Sequence, residues 1–320
     1  MKRQFRLALR VGLLIALTAA VAKERPRQFE LKGESPKFWE LLPKGAKLEL
    51  VAGGMGFTEG PVWDPSGFVY VSDEVINKIY RIYPDGRKEE LISLGDPDGN
   101  TFDEHRQLID CASVLRAIIR IKPDGTYRVL ADRYQGKRLN SPNDVVIGPD
   151  GAIYFTDPTS DLPKDQKQEL DFKGVFRLDA RGQVTLLTKD LTEPNGLAFS
   201  PDGKRLYVDD STQRNIRVYD FQQDGTLRNG RIFGEEPGGK KEGVPDGMKV
   251  DMAGNLYVTG PGGIWVWDSG GTHLGTIIMP EQPANLTWGD SDKKTLYITA
   301  TTSLYKLKTN ATGSLPYGTK

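Results

Sequence analysis

Short apolar runs separated by tight polar turns dominate the chain from Leu48 to about Leu307. Phe68-Val69-Tyr70-Val71-Ser72-Asp73 follows the turn Asp64-Pro65-Ser66-Gly67, and Ile79 to Ile82 then runs into Pro84-Asp85-Gly86. Brief runs rich in Val, Ile, Tyr and Phe, bounded by Asp-Gly and Asp-Pro, predict β-strands. The same unit returns as Gln107 to Cys111 after Phe102-Asp103, and as Ile153 to Asp157 after Gly148-Pro149-Asp150-Gly151. It returns again at Leu206 to Asp210, at Leu256 to Val258 and at Leu296 to Thr299.

The first turn positions are Asp64, Asp103, Pro149, Pro201, Asp251 and Asp290. They recur about every 40 to 50 residues, which suits one four-stranded blade per repeat. Six copies predict an all-β, six-bladed β-propeller with four-stranded blades over residues 47–309. A parallel α/β chain is excluded, because the gaps leave no room for crossover helices. A β-sandwich would not need six similar hairpins. Leu48 to Val51 is expected to close the ring as the outer strand of the last blade, which removes an open sheet edge.

The ends read differently. Lys2, Arg3, Arg6 and Arg10 precede the apolar run Val11 to Ala22, and Ala20-Val21-Ala22 is a small-residue ending. Residues 1–22 therefore predict a secretory signal peptide, with no stable membrane span after cleavage and an exported, periplasmic or secreted product. A retained anchor is the rival reading. Residues 23–46 form a polar leader with one expected helical turn near Phe38-Trp39-Glu40, and 310–320 a fraying C-terminal tail. Two charged, Gly- or Pro-containing stretches, Asp157 to Phe172 and Gly234 to Gly247, are expected as rim loops.

Composition narrows the function classes. The 43 basic residues balance 43 acidic ones, so there is no case for nucleic-acid binding. Cys111 is the single cysteine, so no internal disulfide forms, and its strand context predicts an inert buried thiol. The two histidines, His105 and His273, lie in loop-like segments, and Ser141 has no histidine to pair with.

Polar residues interrupt the start of four inner strands. They are Glu59 in Phe57 to Trp63, Asn143 in Leu139 to Val146, Asn195 in Pro194-Asn195-Gly196, and Asp246 in Pro245-Asp246-Gly247. Singly, each also reads as a turn or satisfied rim residue. Together they offer two carboxylates and two amide oxygens, an all-oxygen set suited to one divalent cation, Ca2+ first, with other divalent ions open. The absence of His and Cys argues against zinc.

These segments, with Arg138-Leu139-Asn140-Ser141-Pro142-Asn143-Asp144 and Pro245-Asp246-Gly247-Met248, resemble the gluconolactonase/regucalcin-like (SMP-30) family of six-bladed propellers over about residues 50–308. The resemblance implies a metal-dependent hydrolase of a small lactone or ester. By that likeness Glu59, Asn195 and Asp246 are the metal ligands, Asn143 stands at the metal and substrate edge, and Asp246 is the general base. Asn140 is implied as a substrate contact or as a residue supporting the ligands. Apart from the likeness, Arg138 is an expected contact for a polar or acidic substrate, with solvent exposure the simpler reading. Blade two departs from the family. Asn100-Thr101-Phe102-Asp103 stands where relatives have Asn-Gly-Leu before an Asp, and Ala112-Ser113 where they have Glu-His. A phosphotriesterase-like hydrolase and a noncatalytic propeller binding a metabolite or protein are the alternatives.

Overall fold

A computed structural model describes residues 27–239 and 243–315; the expected signal peptide, 1–22, lies outside them. Each sequence repeat folds into an antiparallel meander. The inner strands are Thr58–Asp64, Pro97–Phe102, Val145–Ile147, Pro194–Phe199, Met248–Val250 and Pro283–Gly289. Successive inner strands touch around the ring and the last touches the first, giving the expected six-bladed all-β propeller.

Closure follows the sequence expectation. Leu48–Ala52 pairs antiparallel with Ser303–Lys308, setting Leu48 opposite Leu307 and Leu50 opposite Tyr305. The strand from the other end of the chain thus completes the sixth blade as its outermost strand.

The repeated turn aspartates have a packing role. Tyr70, Tyr154, Tyr207, Tyr257 and Tyr297 occupy the same place in the second strand of five blades, and all are buried. A buried phenol needs a partner. Tyr154 donates to Asp150 at 3.0 Å, Tyr257 to Asp251 at 3.3 Å and Tyr297 to Asp290 at 3.0 Å. Turn and strand therefore recur as one unit. Cys111 is fully buried, and burial pushes its thiol well up, so it stays protonated.

The leader is part of the sheet. Glu30–Gly33 pairs with His273–Ile278 and makes blade five five-stranded. This strand alternates only between exposed and half-buried positions, so its sequence carries little apolar signal. The helix Pro36–Leu41 starts on Ser35, whose hydroxyl accepts from Lys37 N at 3.2 Å, with Pro36 in the first turn. Its Phe38 is fully buried against Ile264, Ile277 and Met279. Phe38→Ala should therefore cost about 3–5 kcal/mol, the range for a buried Phe, read as a lower denaturant midpoint. A change below about 1 kcal/mol would mean that the leader is dispensable.

The tail does not fray through residue 315. Gly313 bridges Asp251 and its N–H donates to Lys293, while Ser314 N donates to Val250 O at 3.0 Å. Backbone pairing, invisible in the side-chain pattern, holds it.

Candidate functional site

The inner strands do not begin as regular strands. Their pairing slips between Glu59 and Val62, Pro97 and Asn100, Pro194 and Leu197, and Pro283 and Asn285. A bulge re-aims side chains that the pleat would otherwise turn away. The same level of blades three and five is a turn leading into Val145–Ile147 and Met248–Val250. Five blades thus place a polar residue at the same level, Glu59, Asp98, Asn143, Asn195 and Asp246, and the sixth places Ala284 there.

The residue after each is small where blades crowd. At Gly60 (φ +49°), a Cβ would lie 2.1 Å from the Asp98 carbonyl oxygen, and at Gly196 1.9 Å from that of Asp246. Neither backbone oxygen can yield, so glycine is required at both positions. Blades three and six instead carry Asp144 and Asn285, whose side chains reach across. Asn285 Nδ2 donates to Glu59 Oε2 at 2.9 Å, and Gly60 N donates to the same oxygen at 2.7 Å. Lys249 Nζ donates to Asn285 Oδ1 at 3.2 Å.

Glu59 Oε1 is buried and has no hydrogen-bond partner within the protein. Glu59 is 3% exposed, whereas Asn195 and Asp246 are half-buried. Burial pushes the Glu59 carboxyl up to about 7; the Gly60 N–H opposes the rise and the Asp144 charge adds to it. Asp246 is pushed well above the carboxylate range by burial, then by Glu59 and Asp144, while a hydrogen bond with Asn195 opposes this. Asp98 is raised by burial and by Glu74 and Glu59. Such an oversupply of negative charge favours a cation. Among the described residues, no three His, Cys, Asp or Glu side chains come together as a ready ligand set. Any cation here must draw on amide oxygens as well as carboxylates, and Glu59 Oε1 gives it an unsatisfied one.

Glu59, Asn143, Asn195 and Asp246 all fall at this one level. Asn140 and Arg138 are engaged elsewhere. Asn140 Nδ2 holds the carbonyls of Asp157 and Phe172, at 3.2 and 3.0 Å, and Arg138 Nη2 donates to Leu115 O at 2.7 Å. Both brace the Asp157 to Phe172 insertion and the turn beside it. That insertion approaches the site, because Asp161 lies near enough to Asn143 for that side chain to lower its pKa. His105 is exposed beside Glu104, and His273 sits near Glu34 on an outer strand.

Blade two requires a correction. Its residue at the site level is Asp98, within Pro97-Asp98-Gly99, and not part of Asn100 to Asp103. The Pro-x-Gly triplet shared with Pro194-Asn195-Gly196 and Pro245-Asp246-Gly247 was the available signal. Asn100 instead braces the wall, its Nδ2 donating to Gly60 O at 2.9 Å and Ser72 Oγ at 2.7 Å. Lys249, Asp144 and Asn285 were also missed, because they stand among apolar strand residues.

Residues 57–302 match the family described as SMP-30/Gluconolactonase/LRE-like region. The chain belongs to this family. A gluconolactonase of Zymomonas mobilis is 34% identical over 308 residues, covering 87% of this chain and 86% of that protein. A pentonolactonase of Haloferax volcanii is 30% identical, covering 75% of this chain and 80% of its own length. The solved structure of a gluconolactonase from Xanthomonas campestris superposes with a TM-score of 0.82 at 33% identity, covering 89% of this chain and 96% of that one. No helix among the described residues is long and apolar enough to cross a membrane.

Proposed function

We propose that this family member hydrolyses a small lactone or ester of gluconolactonase type, using one divalent cation, with Ca2+ the best fit. The observation that carries the reading is the buried, unpartnered Glu59 Oε1 in a channel shared with Asp246 and two amides. Similarity to the Zymomonas and Xanthomonas gluconolactonases supports the reaction class. Glu59, Asn143, Asn195 and Asp246 are the residues that would hold the ion. When bound, the ion supplies a Lewis acid for a carbonyl oxygen and for the charge that develops on it.

The protein's own groups do the rest. Asp246 is half-buried and so reaches both channel and solvent. Its carboxylate is the base that takes a proton from the attacking water, and returns it to the leaving alkoxide as the ring opens. Asn195, hydrogen-bonded to Asp246, holds that carboxylate in place. Burial of the channel strengthens each of these contacts.

Charge at the mouth supports a choice of substrate. Glu74, Asp96 and Asp161 are half-buried there, and burial with mutual repulsion raises all but Asp161 partly through one another. Burial dominates for Asp161, and Glu193 adds to it. An uncharged lactone enters such a mouth more readily than an anionic one. The reading also includes export, with cleavage before Lys23.

The test is metal analysis of the protein joined to lactone hydrolysis before and after chelation. The expected result is one bound divalent ion, turnover lost with chelator and restored by Ca2+, and at least tenfold higher kcat/KM for neutral than for anionic aldonolactones, about 1.4 kcal/mol of transition-state discrimination. Turnover of phosphotriesters but not lactones would replace the substrate class. No bound metal and no effect of Ca2+ would sink the metal-dependent reading.

A further inference from the structure

Asp98 is a carboxylate at the level of the proposed ligands that is not needed to complete them. It is 2% exposed, and its Oδ2 accepts from Asn143 Nδ2 at 2.8 Å, with Ser113 Oγ at 3.4 Å. Ser113 has one hydroxyl proton, which lies on Pro142 O at 2.6 Å, so the Asn143 contact is the stronger claim on Asp98. The Asn143 side chain also lowers the pKa of Asp161 on the insertion, against the larger rise from burial, so the two groups lie near each other.

An amide carries two N–H donors and one oxygen acceptor, and an ionised carboxylate can only accept. The Asp98 carboxylate on Asn143 Nδ2 therefore fixes which way round the amide sits. Nδ2 points toward blade two, and Oδ1 is the atom left for the channel. Left to itself, an Asn at this place could present either end, and an NH2 group cannot bind a cation. The backbone is held to match: Gly99 N donates to Asn143 O at 2.8 Å, and Asn143 N donates to Thr156 O at 3.0 Å. Neighbouring residues of blade two, Asp98 and Gly99, thus grip one residue of blade three by side chain and main chain.

We propose that Asp98 is a positioning residue, which turns the Asn143 oxygen toward the cation and gives blade two its role in the site. The proposal rests on the cation-dependent reading above. It also explains why blade two works without the Glu and His expected at Ala112 and Ser113: its contribution comes one strand further in. Asp98 acts through Asn143, in the way outer carboxylates orient metal ligands.

The test is Ca2+ affinity by calorimetry on the full folded protein, with thermal melts run alongside. D98A is expected to bind Ca2+ about 10- to 100-fold more weakly, the usual effect of removing such an orienting group. D98N keeps an oxygen that can accept from Asn143 Nδ2 but is no longer an acceptor only, so it should bind Ca2+ more weakly than wild type and clearly more tightly than D98A. In an N143A background, D98A should change affinity less than about twofold, because the group it positions is gone. If D98A does not fold, D98S replaces it in every arm.

Unchanged affinity in D98A overturns the proposal. Equal losses in D98A and D98N assign the effect to charge and also overturn it, as do additive losses in the double variant. A wild-type protein that binds no divalent cation removes the underlying reading as well. That result is distinguishable, because the other outcomes all require wild-type binding.

Discussion

Asp246→Ala is expected to abolish measurable lactone turnover, a fall of at least about a thousandfold in kcat/KM, and to leave the propeller folded. Two roles meet at this side chain in the proposed mechanism, so one truncation removes both a cation ligand and the base. Folding should survive because the Asp246 backbone, not its carboxylate, is built into the ring. Its N–H donates to Thr259 O at 3.2 Å, and its carbonyl lies against Gly196. The carboxylate itself is held among like charges: Glu59 and Asp144 both push it up. Its removal relieves repulsion, so the chelated variant should melt no lower than the chelated wild type.

Asp246→Asn separates the two roles. The amide keeps an oxygen for the cation but cannot take a proton. Cation affinity should fall by about tenfold, while kcat falls by about a hundredfold or more. Calorimetry and initial rates with a pH indicator measure the two quantities on one preparation. If Asp246→Asn retains wild-type kcat, the base lies elsewhere and Asp246 only binds. If both variants hydrolyse lactones normally, the proposed site is wrong.

How much of this was legible in the sequence depended on which interactions carried each feature. The six repeats were readable because strand, turn aspartate and buried tyrosine recur together, and Tyr154, Tyr257 and Tyr297 bind the turn residues that mark the period. Ring closure by Leu48–Ala52 was readable because a propeller must satisfy its last sheet edge. Glu59, Asn143, Asn195 and Asp246 stood out as polar breaks in apolar strands. Their convergence comes from bulges at Glu59 and Asn195 and from the segments that lead into the inner strands at Asn143 and Asp246, backbone properties that residue types do not announce.

Asp98 was hidden for the same reason. Asp98-Gly99 looks like one more turn dipeptide, and only the slip between Pro97 and Asn100 lifts it to the level of Asn195 and Asp246. Glu30–Gly33 was hidden differently. It binds blade five through main-chain pairing, with Leu31 opposite Ile277, and its polar side chains carry no record of that. Asn140 and Arg138 sit in the right motif, yet their hydrogen bonds go to the insertion and its neighbouring turn. Motif membership located the loop but not the direction of each side chain.

Without its cation the folded protein should lose stability as pH rises from about 4.5 through 7, and Ca2+ should restore it. Glu59 titrates near 4.5 when free and is pushed up to about 7 by burial. A folded-state value above the unfolded one means that the native protein holds more protons across this window. Stability is then fully present below the unfolded value and is lost as pH climbs through the folded one. Glu59 alone corresponds to roughly 3 kcal/mol over that span, at about 1.4 kcal/mol per unit. Asp96, raised to about 6, and Asp157, raised to about 8, act in the same direction. Carboxylates held low by surface hydrogen bonds, such as Asp124, titrate below the window and leave it unaffected.

A cation reverses the balance at Glu59 and Asp246 by giving their ionised forms a partner, and it must displace their protons to bind. Affinity should therefore rise with pH, by up to about tenfold per unit for each proton released, throughout the range in which Glu59 and Asp246 give up their protons. Urea unfolding at pH 5, 6, 7 and 8, in chelator and in excess Ca2+, reads both effects. The two curves should lie close together at pH 5 and separate steadily toward pH 8. Glu59→Gln removes the titrating group while keeping its shape, so it should flatten the chelated curve between pH 5 and 7. Parallel curves with and without Ca2+ would show that these buried carboxylates do not hold the ion.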